Sequence, residues 1–309
     1  KCKNCRAIIP LLKTRWLCKK ERKRVLLRMT PKADKSGVEF GIQTDVSTHG
    51  GNAAQKREHD KRIGDGTMSR AGAKCPCCGT IMTMGDIRAE SNSGRTGSQM
   101  TALVLEGQKT KEYKKPALMD EQIASGISQS LQNELQKLPR LSLNQSFDPI
   151  STRSISAQLY GVKRWEDLFT NRQQFSLAHM GSKLHAASEC LYKNSVPDFW
   201  RDAIVDCIAL ALDRIVGFMC VNTRWKTDAD SLTDAFSRFS ISLLWDFAEA
   251  NPLGTTAGGF IRCVDRIATA YDVLLGISYP AEGCSVINNS AADFNLEQPI
   301  DLVITDPPY

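Results

Sequence analysis

Two Cys-x2-Cys pairs, Cys2-Lys3-Asn4-Cys5 and Cys75-Pro76-Cys77-Cys78, constrain this chain more than any other feature of it. The two-residue spacing lets one tight turn point both sulfurs at a single ion. Two such pairs supply the four thiolates of a tetrahedral site. Gly79 follows the last cysteine, where a turn of this kind often needs a positive φ. The interval between the pairs is long, but loop closure costs grow only slowly with length. The spacing predicts a structural zinc held by Cys2, Cys5, Cys75 and Cys78 in a zinc ribbon over residues 1–90. Four thiolates leave no open position for water, so hydrolysis is not expected there. Cys77 and Cys18 are rival donors, and a cluster of reduced or redox-active thiols is the competing reading.

The chain holds eleven cysteines in all. An odd count with no secretory signal fits metal binding and buried thiols in a cytoplasmic protein better than a disulfide framework. Its 309 residues suffice for two domains. A composition 42% hydrophobic and 24% charged is ordinary for a globular chain, and no run of about 18 apolar residues predicts a membrane span. The start at Lys1-Cys2-Lys3 and the stop at Tyr309, straight after a strand-like run, read as cut ends of an internal fragment.

The net charge of +6 is unevenly placed. Residues 1–35 carry 13 Lys/Arg against Glu21 and Asp34, and a second basic cluster runs from Lys56 to Arg62. An excess of this size is the footprint expected for nucleic acid; a solvated basic loop is the bland alternative.

Along the chain, Val25–Met29 reads as a strand and 34–70 as a long exposed loop or hairpin arm. Thr101–Gly107 reads as a strand ended by glycine. A helix is expected over Asp120–Leu138 and a linker over Pro139–Pro149. Four helical stretches follow: Asn171 to about Tyr192, capped by Thr170 or Asn171; one beginning near Pro197; Ser231–Ala250; and Phe260–Leu275. In the second of these, Phe199, Ile204, Cys207, Ile208, Leu210, Ala211 and Ile215 are the expected buried face. The style then changes to a short strand, Cys284–Asn288, a turn containing Asp293, and an apolar strand, Asp301–Thr305, of the buried parallel kind. Residues 91–150 thus read as strand, helix and linker, 151–283 as a helical region, and 284–309 as a partial α/β core.

That last strand runs directly into Asp306-Pro307-Pro308-Tyr309, at the carboxyl end of a strand where α/β folds place their ligands. The residue types suit activation of an exocyclic base amine, whose lone pair is delocalised into the ring. The Asp306 carboxylate and the Pro307 carbonyl can accept hydrogen bonds from the amine and concentrate density on nitrogen. The prolines fix the backbone, and Tyr309 offers a ring to a base taken out of the duplex. Asp293 is the expected cofactor contact. The bland reading is a Pro-Pro turn ending a strand.

With these motifs in view the sequence resembles the adenine-specific DNA methylases that contain a zinc ribbon. The resemblance rests on the first knuckle with Ile9-Pro10-Leu11-Leu12 and Trp16-Leu17, and on the Cys-Pro-x-Cys-Gly knuckle. It continues through 165–173, Leu210–Arg214, Trp245–Pro252 and the final tetrapeptide. It implies a class I methyltransferase: α/β overall, with a zinc ribbon, a mainly helical insertion and the start of a Rossmann-like sheet. It also implies S-adenosylmethionine as cofactor, DNA as partner, and proteins of a restriction or defence system as candidate partners. The family's Gly-rich cofactor loop precedes the ribbon and has no counterpart here, so this fragment alone is expected to be inactive. Thr256-Ala257-Gly258-Gly259-Phe260 faintly echoes such a loop but follows no strand, and reads as a turn into a helix.

Trp245 and Phe247 are expected in the core, while Asp246, Glu249 and Asn251 divide evenly between facing a site and capping or surface roles. Trp165 and Arg172 read more simply as packing and surface charge than as nucleic-acid contacts. His179 and His185, at i, i+6, do not share a helix face for a common metal. Methylation of adenine N6 is the leading expectation. Cytosine N4, RNA or a protein amide are the other substrates, and a non-catalytic nucleic-acid-binding module is the reading from another class.

Overall fold

The computed structural model describes residues 1–138, 144–147, 155–237, 240–277 and 304. The chain divides into two units, Lys1–Thr269 and Ala270–Tyr309. Of the second, the described residues are 270–277 and 304.

The first unit opens on a three-stranded antiparallel sheet of β1 (Trp16–Lys20), β2 (Lys23–Pro31) and β3 (Val38–Gln43). β2 buries Val25, Leu26 and Leu27 in succession, because the sheet is covered on both faces. Val25 packs with Cys18 and Tyr113, and Leu27 with Leu12, Val38 and Phe40. Leu26 points to the other face, with Trp16, Val46 and Ile63. The strand expected at Val25–Met29 is therefore present and longer.

Of the loop or hairpin arm expected over 34–70, the hairpin is present as β3 paired with β2, and the remainder is helix α1 (Ala53–Gly64) and β4 (Met68–Ser69). A reading that looks for an apolar stripe misses α1, since Gly64 is its one buried residue. Local chemistry forms it nonetheless. Asn52 caps it, accepting from the Ala54 and Gln55 amides, and the Gln55 side chain accepts from the Asn52 amide in return. Lys61 and Arg62 lie in its last turn, where cations suit the dipole. Its last turns are tied to the sheet: the Trp16 indole donates to Asp60 O at 2.9 Å, Arg15 donates to Ile63 O at 2.6 Å, and Arg24 pairs with the Asp60 carboxylate.

β4 leads into β5 (Gly72–Lys74) and β6 (Ile81–Met82), a small antiparallel sheet whose β5–β6 turn contains the second cysteine pair. Helix α2 (Met84–Asn92) follows, capped by Thr83. β7 (Leu103–Leu105) and β8 (Glu112–Lys114) form a hairpin. The single helix expected over Asp120–Leu138 is two, α3 (Leu118–Ser125) and α4 (Ser128–Gln136), separated at Gly126.

Helix α5 (Asn171–Lys193) starts at the predicted Thr170 cap, completed by Gln173, and α6 (Asp198–Val216) starts after Pro197. Ala211 and Ile215 of α6 form the helical core with Phe218, Met219, Ala250 and Cys263. The rest of the expected buried face turns out differently: Phe199 is 73% and Leu210 48% exposed. The buried stripe of α6 is narrower than expected: Ala211 and Ile215 are its buried residues, and they meet Cys263 of α7 (Phe260–Leu275).

No helix spans Ser231–Ala250. β9 (Arg224–Lys226) and β10 (Ser231–Thr233) pair as a hairpin, and an irregular segment follows, 238 and 239 lying outside the described residues. The reason is local: serines and threonines compete for backbone hydrogen bonds, and Asp234 accepts from the Phe236 amide in a turn. Phe260–Leu275 is helical as expected.

Every strand pair among the described residues is antiparallel. The fold is thus a mixture of helices and small antiparallel sheets, and no Rossmann-like sheet occurs among the described residues. The strands expected at Cys284–Asn288 and Asp301–Thr305 fall outside them, apart from Ile304, which lies in no strand and is 86% exposed, contrary to the buried position expected of it. No described helix is long and apolar enough to cross a membrane.

Candidate metal centre

The two cysteine pairs, some seventy residues apart in sequence, meet at one point. Each pair is a knuckle with the same backbone wiring. The Cys2 amide donates to Ala7 O at 2.8 Å and the Arg6 amide to Cys2 O at 3.0 Å. In the second knuckle the Cys75 amide donates to Thr80 O at 2.8 Å and the Gly79 amide to Cys75 O at 2.9 Å. Residue for residue, the turns superpose in pattern, and the residue after each second cysteine is left-handed: Arg6 at φ 63° and Gly79 at φ 78°.

The four sulfurs of Cys2, Cys5, Cys75 and Cys78 lie within 4.8 Å of one another. Cys2 Sγ is 3.7 Å from Cys78 Sγ, and Cys5 Sγ is 3.7 Å from Cys75 Sγ. Around an ion bonded at about 2.3 Å to each sulfur, a tetrahedron sets the sulfurs about 3.8 Å apart. Disulfide sulfurs sit at about 2.05 Å, and every described cysteine is free. The set fits a metal such as zinc. Cys2 and Cys75 are buried among Ala7 and Ile9, while Cys78 is exposed.

The rival donors are engaged elsewhere. Cys77 Sγ donates to Gly37 O at 3.3 Å, and Cys18 Sγ donates to Lys23 O at 3.3 Å within the buried cluster of Val25 and Tyr113.

The thiols differ in acidity. The Thr80 hydroxyl and amide hold Cys78 down to about 6, so it is largely thiolate at neutral pH. The backbone at Ala7 draws Cys5 down, but burial and the thiols of Cys78, Cys75 and Cys2 outweigh it and push Cys5 up to about 12. Burial raises Cys75. Metal binding needs the ligands as thiolates and would release the protons that the cysteines carry. Sequence reasoning found the four clustered cysteines but missed Arg6, Ala7 and Thr80, whose backbone shapes the knuckles. Matched spacing after each pair was the available signal.

The other predicted site residues separate into two groups. Asp293, Asp306, Pro307, Pro308 and Tyr309 lie outside the described residues. The candidate polar residues near Trp245 are structural. Glu249 takes a two-pronged ion pair from Arg172, at 2.5 and 2.8 Å. Asp246 accepts from the Lys13 amide at 3.3 Å, and Asn251 from the Leu253 amide at 3.0 Å. Trp245 meets Tyr160 edge-on, and Trp165 meets Phe147 the same way. His179 lies 3.2 Å from Glu134 and His185 3.5 Å from Glu189, so they share no site.

The Gly258-Gly259 turn leads into α7, and its glycines answer to packing. A Cβ at Gly258 would lie 2.7 Å from the Cβ atoms of Ala250 and Phe218, and one at Gly259 would collide with Gly254 O. That space is filled by protein, so close packing accounts for both glycines.

No known protein family, no curated protein and no solved structure matches this chain.

Proposed function

We propose that the chain is part of an S-adenosylmethionine-dependent DNA amino-methyltransferase acting on adenine N6, with the four-cysteine centre as its structural zinc site. The observation that carries the reading is the tetrapeptide Asp306-Pro307-Pro308-Tyr309 directly after the apolar run 301–305. The sequence blocks that resemble zinc-ribbon DNA methylases support it. In this reading S-adenosylmethionine supplies an electrophilic methyl group. Asp306 and the Pro307 carbonyl accept hydrogen bonds from the base amine, and Tyr309 stacks on the base. The zinc centre does no chemistry, because four thiolates close its coordination.

The deciding measurement is transfer of labelled methyl from S-adenosylmethionine to duplex DNA by the longest natural form of the protein, beside its Asp306→Ala variant. Digestion to nucleosides identifies the product. Label on adenine N6, reduced by roughly a hundredfold or more in the variant, is the expected result. Label on cytosine N4, RNA or protein would move the substrate. Absence of transfer in a protein that still binds DNA would sink the enzyme reading.

A second reading, a non-catalytic zinc-ribbon nucleic-acid-binding module, has two observations in its favour. The described residues contain a complete four-cysteine centre, and every strand pair among them is antiparallel.

A further inference from the structure

Three hairpins far apart in sequence converge on one carboxylate. Asp230 closes the turn of the β9–β10 hairpin in a left-handed conformation, φ 59°, and is 5% exposed. Its Oδ1 accepts from the Tyr113 hydroxyl of β8, and its Oδ2 lies 3.4 Å from Lys20 Nζ and 4.0 Å from Lys23 Nζ, at the β1–β2 turn. Its carbonyl accepts from Lys111 Nζ at 2.6 Å. The lysines are also fixed by aromatic rings: Lys23 Nζ sits 5.0 Å from the Tyr113 ring centre, and Lys111 Nζ 5.2 Å from that of Trp225. Backbone bonds complete the clasp. The Lys19 amide donates to Thr227 O at 2.7 Å, and the Trp225 indole to Leu17 O at 2.6 Å.

The consequence is electrostatic. Residues 17–23, 109–115 and 224–230 together hold ten lysines and arginines against four acids. Of those acids, Asp230 is enclosed by the clasp itself. Lys19, Arg22 and Lys226 stand exposed, with no carboxylate within 4 Å among the described residues. Helix α1, the more obvious basic segment in the sequence, carries a smaller excess: Lys56, Arg57, Lys61 and Arg62 stand there against Glu58 and Asp60, the latter paired with Arg24 of β2. A concentrated set of cations on strands and turns that the clasp holds together suits a repeating phosphodiester. It offers point charges that position a backbone and has no helix to lay in a groove and read bases.

We propose that this three-hairpin cluster around Asp230 is the surface that takes the phosphate backbone of duplex DNA. The inference rests on the DNA reading above and names the face that makes the contact.

The test is fluorescence anisotropy of a labelled 20-base-pair duplex titrated with the 309-residue zinc-loaded chain from about 50 to 200 mM salt. The triple variant Lys19→Ala/Arg22→Ala/Lys226→Ala removes exposed groups outside the clasp, and circular dichroism checks that it folds. The expected result is binding at least roughly tenfold weaker, with a salt slope lower by about three, one per lost phosphate contact. Change of the duplex sequence should leave both unaltered. A variant binding like the parent would overturn the assignment and leave the DNA reading intact, as would loss of binding on Lys56→Ala/Lys61→Ala instead. A parent chain that binds no duplex even at low salt would remove the DNA reading along with it. Preference for a single strand of the same length would overturn the duplex assignment.

Discussion

Arg6 and Gly79 occupy the same position in the two cysteine knuckles, each donating its amide to the carbonyl of the first cysteine four residues back, at 3.0 and 2.9 Å. Both are left-handed, with φ of 63° and 78°. Glycine adopts that region at no steric cost, whereas a residue with a Cβ is held there at about 1 kcal/mol or more. The first knuckle is therefore the strained one. Arg6→Gly should raise stability of the metal-loaded chain by about 0.5 kcal/mol, after the extra freedom of glycine in the unfolded chain is set against the relief. Gly79→Ala should lower it by about 1 kcal/mol. Thermal unfolding of the two variants decides this, and a destabilised Arg6→Gly would mean that the arginine side chain outweighs the backbone strain.

The ligand set makes a sharp division among cysteines. Cys2, Cys5, Cys75 and Cys78 should each lose tight zinc binding on change to serine, while Cys77→Ser and Cys18→Ser should keep one zinc per chain. Metal content by mass spectrometry under native conditions reads this directly. Chelation should also lower the melting temperature, because binding to the folded state alone stabilises it. A chain with four of these cysteines intact that retains no zinc would remove the metal centre.

Gly258 tests whether its turn serves packing. Alanine there must adopt φ near +86° and place a methyl 2.7 Å from Ala250 and Phe218. Strain and overpacking together should cost roughly 2–4 kcal/mol. Chemical denaturation would show this as a lower midpoint with little change in slope. A variant of parental stability would contradict the packing account.

Glu134 joins α4 to α5. Lys137 Nζ lies 2.6 Å from its carboxylate, His179 Nδ1 3.2 Å away, and the Ser182 hydroxyl donates to it at 3.0 Å. The Lys137 hydrogen bond, followed by those of His179 and Ser182, holds its acidity down to about 2 from the ordinary 4.5. A depressed carboxylate stabilises the fold fully above the unfolded value and loses that contribution as pH falls through the folded one. The advantage of the parent over Glu134→Gln should thus be constant above pH 4.5 and vanish between about 4.5 and 2. Hydrogen exchange of the α4 amides across that range would follow it, and a pH-independent difference would exclude the ion pair as its source.

What the sequence by itself determined was local. Cysteine spacing singled out the four thiols that come together, and Gly79 announced a left-handed turn. Thr170 with Gln173 fixed the start of α5, and the apolar pattern of 260–275 fixed α7. These signals lie within a few residues of one another, where propensity and capping act. Helix α1 was also written locally, as Asn52 with Gln55, but without an apolar stripe it went unread. The tertiary structure alone decided which thiols were excluded, since Cys77 and Cys18 find carbonyl partners that no spacing rule reveals. It alone turned Phe199 and Leu210 outward, because α6 buries only the narrow stripe of Ala211 and Ile215. It also gathered lysines from two hairpins around the Asp230 of a third, more than two hundred residues from Lys20. Charge acts through space and not along the chain, so an electrostatic surface exists only once folding has chosen which segments are neighbours.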